Sequence, residues 1–427
     1  MSEACARRRW VGWAAASLAV LALLPAALVA WLNVRGETPV RDDAAVPATA
    51  ALVDRGAYLA RAGNCGGCHT TPEGAAFAGG RGIDTPFGVV HAPNITPDVE
   101  TGIGNWSPDV FWRALHHGRS RDGRLLYPAF PYPSYTNVTR EDADALYTFL
   151  RSVPPVVQAN RPHALRFPYN TQAALAVWRA LFFRPAELTS DTTRSAAWNR
   201  GKYLVQGLGH CAACHSGRNV LGAVGVNAEF AGGPMPDKSW YAPSLAQPDE
   251  AGVQRWPRDE VVQLLKTGVS AHATVSGPMA ELVYASTQHL GDSDLQAMAE
   301  YLGAIPVRAP AKAAVQAAPA ELMQRGGRLY TTHCAACHGD QGQGVAGIYP
   351  PLAGNRAVTL AAAANVVQSI RLGGFAPSTA GNPQPFGMPP FVQVLGNDEI
   401  AAVSTFIRQS WGNQAGEVTA LEVLRVK

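Results

Sequence analysis

Six of the seven cysteines in this 427-residue chain fall into one pattern that occurs three times: Cys65-Gly-Gly-Cys68-His69, Cys211-Ala-Ala-Cys214-His215 and Cys334-Ala-Ala-Cys337-His338. Two thiols at this spacing reach two vinyl groups on one porphyrin edge and form thioethers. The histidine that follows then lies under the iron as its proximal ligand. Other chemistry uses the same pair of cysteines. A Cys-x-x-Cys is also half a zinc site or a thioredoxin-like redox couple. Zinc wants four ligands per metal, and three isolated pairs divide badly into four-cysteine sites. A redox couple has no need of a histidine after it each time. The pattern therefore predicts three covalently bound haem c groups, on Cys65 and Cys68, Cys211 and Cys214, and Cys334 and Cys337. His69, His215 and His338 are the expected axial ligands of the iron.

The rest of the chain must carry these sites. Its length suits two or three domains. A hydrophobic content of 47% is ample for buried cores, while 42 glycines and 32 prolines imply long, defined loops. With 35 basic and 32 acidic residues and no basic stripe, nothing points to nucleic acid. No nucleophile elbow, P-loop or dinucleotide fingerprint appears, so no catalytic residue is expected and the haems carry the chemistry. Arg7, Arg8 and Arg9 precede a charge-free run of 23 residues, Trp10–Leu32. A bilayer span needs about 20 residues, and the cationic end stays in the cytoplasm. Residues 1–9 are thus expected as a cytoplasmic end and 10–32 as an uncleaved transmembrane anchor, with Trp10, Trp13 and Trp31 at the interfaces. A cleaved signal peptide is the alternative, because Ala26, Ala27 and Ala30 are small, though no clean cleavage site appears. Either reading exports the remainder, which suits thioether attachment outside the bacterial cytoplasm. The expected location is the inner membrane, single-pass, with the haem domains in the periplasm. Cys5 is on the cytoplasmic side and is assigned no role.

After a linker, 33–48, the exported part repeats. Each unit opens with a short helix bearing glycine and aromatic residues: Arg55-Gly-Ala-Tyr58, Arg200-Gly-Lys-Tyr203 and Gly327-Arg-Leu-Tyr330. The haem motif follows, then a proline loop at Pro93, Pro243 or Pro350. A middle helix comes next. Ser107 and Pro108 are expected as the N-cap and first residue of one, with Gly118 and Gly268 as C-caps of the first and second. Each unit closes with an amphipathic helix, at Asp142–Leu150, Asp294–Leu302 and Asp398–Ile407. The expected organisation is all-α, with units at 49–153, 196–305 and 320–413. A connection at 154–195, a linker at 306–319 and a tail at 414–427 complete it. The apolar run 173–183 within the connection is expected to be buried against a neighbouring domain or a partner subunit.

Helix, haem motif, loop, helix, loop, helix is the layout of a small class I cytochrome c domain. The exported region resembles the three-haem cytochrome c subunits of bacterial membrane-bound dehydrogenases. The resemblance rests on Asn94-Ile-Thr-Pro-Asp98 with Thr101-Gly-Ile-Gly-Asn-Trp106, Leu126-Tyr-Pro-Ala-Phe-Pro-Tyr132, Ala180-Leu-Phe-Phe-Arg-Pro185, Gly277-Pro-Met-Ala-Glu281 and Ser410-Trp-Gly-Asn413. It implies an electron-transfer subunit rather than a catalytic one. Electrons would come from a periplasmic dehydrogenase catalytic subunit (quinoprotein, flavoprotein or molybdenum hydroxylase) and pass to ubiquinone or a terminal oxidase. The Tyr127–Tyr132 variant looks more like the cytochromes that accompany molybdenum hydroxylases. The competing classes are a haem enzyme of peroxidase type using an open first haem, and a sensor or structural cytochrome.

Methionine is the usual sixth ligand of electron-transfer haems and raises their potential. Met279 and Met388 lie in Gly/Pro loops before a closing helix and are the expected sixth ligands of the second and third haems. Met235 is the rival at the second, and Met298 and Met323 read as core. Many relatives carry methionine where this chain has Phe130, and no methionine occurs between Met1 and Met235. The first haem is therefore left with an open site, water or a histidine: His116, His117 or His91.

Overall fold

The computed structural model describes every residue except 1, 2, 42, 44, 226, 238, 310–314 and 427; the side chains of 3–9, 19 and 22 are also outside the description. The side chains of the arginines at 7–9 and of Cys5, and the middle of the 306–319 linker, thus lie outside the description. The first helix, α1 (Glu3–Val34), contains one stretch, Trp10–Val34, long and apolar enough to cross a membrane. Asn33 ends it: its Nδ2 donates to the Val29 carbonyl at 2.8 Å and to that of Ala176 at 2.9 Å.

The first unit opens with α2 (Ala50–Ala62), started by Thr49, whose Oγ1 accepts from Leu52 N at 3.3 Å. Next come β1 (Gly82–Thr85) and β2 (Gly88–His91), then α3 (Pro108–His117) and α4 (Arg140–Ser152). Helix α3 starts as the sequence predicts, with Ser107 capping Val110 N and Pro108 first in the helix. It ends at Gly118, whose φ of 57° is costly for any residue with a Cβ. The expectation of helices alone needs amending, because β1, β2 and β3 (Ala164–Leu165) form an antiparallel sheet in that order, with Ile83 opposite Val90 and Gly88 opposite Leu165. The loop segments are too short for helices, and pairing gives their backbone groups partners. Strand β3 also ties the 154–195 connection into the first unit. Helix α5 (Gln172–Phe182) then buries Leu175, Arg179 and Ala180 and leaves Val177, Leu181 and Phe182 exposed, so the 173–183 run is buried on one face only.

The second unit has α6 (Ala196–Tyr203), α7 (Arg258–Thr267), α8 (Pro278–Ala285) and α9 (Asp292–Gly303). The third has α10 (Ala320–His333), α11 (Ala364–Leu372), α12 (Asn397–Gln409) and α13 (Ala420–Arg425). Gly268 caps α7 at φ 79°. The tail, described through residue 426, is part of the third unit, where Val418 and Val423 are buried in its apolar cluster.

In every unit the opening helix crosses the closing one through a glycine. A Cβ on Gly56, Gly201 or Gly326 would strike the carbonyl of Ala145, Ala297 or Ala402. These contacts set the structural register of the repeat. Tyr58 and Tyr203 both stand two residues past the crossing glycine, where the third unit has Arg328. Tyr330 is two residues further on and so is not their counterpart, contrary to the match that the sequence pattern suggests. The second unit has one residue more than the first between glycine and cysteine, and absorbs it in a π-turn at Leu204–Leu208. The third unit leans on the second: Arg356 Nη1 donates to the carbonyls of Pro248 and Gly252, and Asn365 exchanges two 2.8 Å hydrogen bonds with the Tyr241 backbone.

Candidate haem sites

Each motif histidine ends a single helical turn, and each makes the same bond. The Nδ1–H of His69 donates to the Pro93 carbonyl at 2.8 Å, that of His215 to Pro243 at 2.6 Å, and that of His338 to Pro350 at 3.0 Å. With Nδ1 protonated and tied to the loop, Nε2 keeps its lone pair, the arrangement a metal-ligating imidazole needs. Burial pushes all three rings toward the neutral form, against the smaller opposing effect of these bonds. The sequence signalled the proline loops as part of the repeat but not this role for their carbonyls.

The motif cysteines are not paired in disulfides. Burial pushes the Cys65 and Cys211 thiols up to about 12 and Cys334 up to about 11. A reactive redox couple depends on the opposite shift. Among the described residues no three His, Cys, Asp or Glu side chains cluster as a metal-ion site. Both observations weigh against the zinc and thioredoxin-like readings.

The first two sites open into one cavity of about 2760 Å³, lined by Cys65, Cys68 and His69 together with Cys211, Cys214 and His215. That is well above the ~300–1,000 Å³ of an ordinary small-molecule pocket. Aliphatic and aromatic side chains such as Leu115, Phe130, Leu204 and Leu265 form much of its wall. Space for two large flat groups, six thiol and imidazole side chains at its wall, and an apolar lining fit haem. Of the arginines that line it, none anticipated from sequence, two hold the attachment loops. Arg81 donates to the Gly67 carbonyl and Arg218 to that of Ala213, each at 2.6 Å, so each holds the residue before the second cysteine of its motif. Arg81 also pairs with Glu281 of the second unit at 3.5 Å.

The distal candidates separate by location. Met279, first turn of α8, lines the cavity and packs on the apolar cluster of the second unit; Met235 lines the cavity as well. Met298 is buried in the core of the second unit, as expected, but it also lines the cavity. Met388 lies in a two-residue strand, Gly387–Met388, paired with Gly374–Phe375 and packed on the core of the third unit. At the first site Phe130 lines the cavity, its ring 5.3 Å from that of Tyr135. His116 and His117 do not line it. Helix α3 turns Phe111, Ala114 and Leu115 to the cavity, and at 100° per residue the next two side chains swing off that face. His116 stacks on Trp112 at 4.4 Å, and the His117 carbonyl accepts from Arg179. Neither ring reaches the cavity wall. His91 does line the cavity, with its Nδ1 donating to the Pro162 carbonyl at 2.8 Å.

The cytochrome c family model matches residues 53–154 and 323–411, and the model for subunit III of cbb3-type cytochrome c oxidase matches 196–302. The chain is 38% identical to the cytochrome c subunit of the quinone alcohol dehydrogenase of Komagataeibacter europaeus, over 89% of this chain and 85% of that one. It is 37% identical to the gluconate 2-dehydrogenase cytochrome c subunit of Pantoea cypripedii, over 88% and 90%. It is 40% identical to a subunit of the nicotinate dehydrogenase of Pseudomonas putida, over 84% of this chain but 30% of that longer protein.

Proposed function

The chain belongs to the family of cytochrome c subunits of bacterial dehydrogenases, and on that premise we propose that it is a three-haem electron carrier serving a periplasmic catalytic subunit. The observation that carries this reading is the histidine-to-proline-carbonyl bond, made in the same way at all three motifs. Cytochrome c domains carry covalent haem c; here the count is three, in tandem domains at 49–153, 196–305 and 320–413. Cys65 and Cys68, Cys211 and Cys214, and Cys334 and Cys337 hold the groups. His69, His215 and His338 are the proximal ligands. Met279 and Met388 are the sixth ligands of the second and third sites. The first site has no sulfur ligand, and of the three histidines considered for it, His91 alone lines the cavity.

Bound haem supplies one-electron exchange between ferrous and ferric iron. The proline carbonyls orient the histidine rings, the apolar wall keeps water from the iron, and Arg81 and Arg218 brace the attachment loops. Helix α1 is the anchor, which places all three sites on the periplasmic side. Electrons arrive from the dehydrogenase subunit and leave for ubiquinone or a terminal oxidase. The test is a pyridine-haemochrome count on the matured protein, with co-purification of a larger catalytic subunit whose substrate reduces the haems. Three haems and reduction by that substrate are expected. Fewer than three haems, or turnover of peroxide by the isolated chain, overturns the proposal.

A further inference from the structure

The closing helices of the first two units begin with the same shared cap. Asp142 is the third residue of α4 and Asp294 the third of α9. A glutamate at that position reaches back to the N-cap amide and closes a capping box. Aspartate is one methylene shorter, and here a tyrosine hydroxyl from the other unit spans the gap. Tyr203 OH accepts from Thr139 N at 3.2 Å and donates to Asp142 at 2.6 Å. Tyr58 OH accepts from Gly291 N at 3.2 Å and donates to Asp294 at 2.7 Å. Each carboxylate is also held from within its own unit, Asp142 by Arg55 and Asp294 by Arg200. Asp142 is 1% exposed and Asp294 9%. Burial and the Asp294 contact push the Tyr58 hydroxyl up to about 12, and burial with Asp142 raises Tyr203 likewise, so both remain donors at neutral pH.

Among the described residues the third unit shows no such exchange. Its residue at the same position is Glu399, which accepts directly from Gly396 N at 2.9 Å, and Arg328 stands where the others have tyrosine. The N-cap amides of the first two closing helices are therefore each held by a hydroxyl from the other unit, with Thr139 also capping Asp142 N within α4, while the third unit holds its own. The exchanged caps hold together the two units whose haem motifs share one cavity.

We propose that Tyr58 and Tyr203 are positioning residues: their reciprocal latch fixes the first and second haem sites relative to one another, so that an electron would pass directly between the groups bound there. This rests on the haem reading above. The transfer oxidises one iron and reduces the other, with no bond made or broken.

The test compares the full chain with Tyr58→Phe, Tyr203→Phe and the double variant. The readouts are the haem count, the bisignate Soret circular dichroism of interacting haems, and the rate of electron equilibration after a reducing pulse. The double variant is expected to keep three haems, to lose at least half of the bisignate signal and to equilibrate at least tenfold more slowly. The potential of the third haem should not change. Adding Asp142→Glu and Asp294→Glu to the double variant restores a cap within each helix but no link between units. Stability should return and coupling should not. Unchanged coupling in the double variant, or coupling restored by the glutamates, overturns the proposal. A wild-type chain lacking haem at either of these motifs would overturn the haem reading itself, whereas a wild-type chain with both haems and no bisignate signal would overturn only the latch.

Discussion

Asp142 and Glu399 stand at the same point of equivalent helices, one methylene apart. Beside the shorter side chain, the N-cap amide is bound by Tyr203 of the neighbouring unit, which also donates to that carboxylate. The longer one closes its own helix. The same requirement, a partner for the N-cap amide, is met by association in the first two units and locally in the third. A small change at a helix start can thus decide whether a repeat stands alone or is fused to its neighbour. Separate motifs on a fused frame make the first two units distinguishable from the third by experiment.

The largest expected effect is chemical. Cys214→Ala should remove only the second haem, so the pyridine-haemochrome value falls by about a third and the other two haems remain. Loss of the first haem as well would show that the shared cavity makes attachment cooperative, and would extend the coupling of these units to maturation.

The next effect separates the units by stability. Gly326→Val and Gly201→Val each drive a side chain into a facing carbonyl, at a cost of about 1–3 kcal/mol. In calorimetry, Gly326→Val should lower the transition of the third unit alone. Gly201→Val should lower a transition common to the first two, and two separate shifts there would break the comparison.

A pH effect should mark the first unit. Burial, His116 and nearby arginines lower the His117 ring from 6.5 to about 4. The unfolded chain therefore takes up a proton before the folded one does. Stability is fully present above about pH 6.5 and falls as pH drops toward 4. Allowing for solvent screening, about 2 kcal/mol is at stake. His117→Asn should flatten the pH dependence of unfolding of the first two units between those values and leave that of the third as it was.

The smallest change in stability should come from Phe130→Met, which alters the iron rather than the fold. The oxidised protein should gain a third near-infrared methionine–iron band, and one midpoint potential should rise. If neither occurs, position 130 does not face the iron, and the contrast between the first site and the two sites proposed to carry methionine fails.

The haem chemistry was legible in the sequence because thioether spacing is a property of five consecutive residues. Helix ends were legible for the same reason: Ser107 with Pro108, Gly118 and Gly268 act on amides and carbonyls within one turn. What depended on rotation or on partners was not. Helical periodicity marked α3 as amphipathic, but packing turned Leu115 to the cavity and the adjacent His116 and His117 away from it. Nor could spacing alone align Arg328, rather than Tyr330, with Tyr58 and Tyr203, since the interval from glycine to cysteine differs in every unit and a π-turn takes up the extra residue in the second. The pairing of Tyr58 with Asp294 and of Tyr203 with Asp142 joins residues far apart in the chain. A buried carboxylate needs partners wherever they come from, and only the packed tertiary structure decides which side chains are brought within reach.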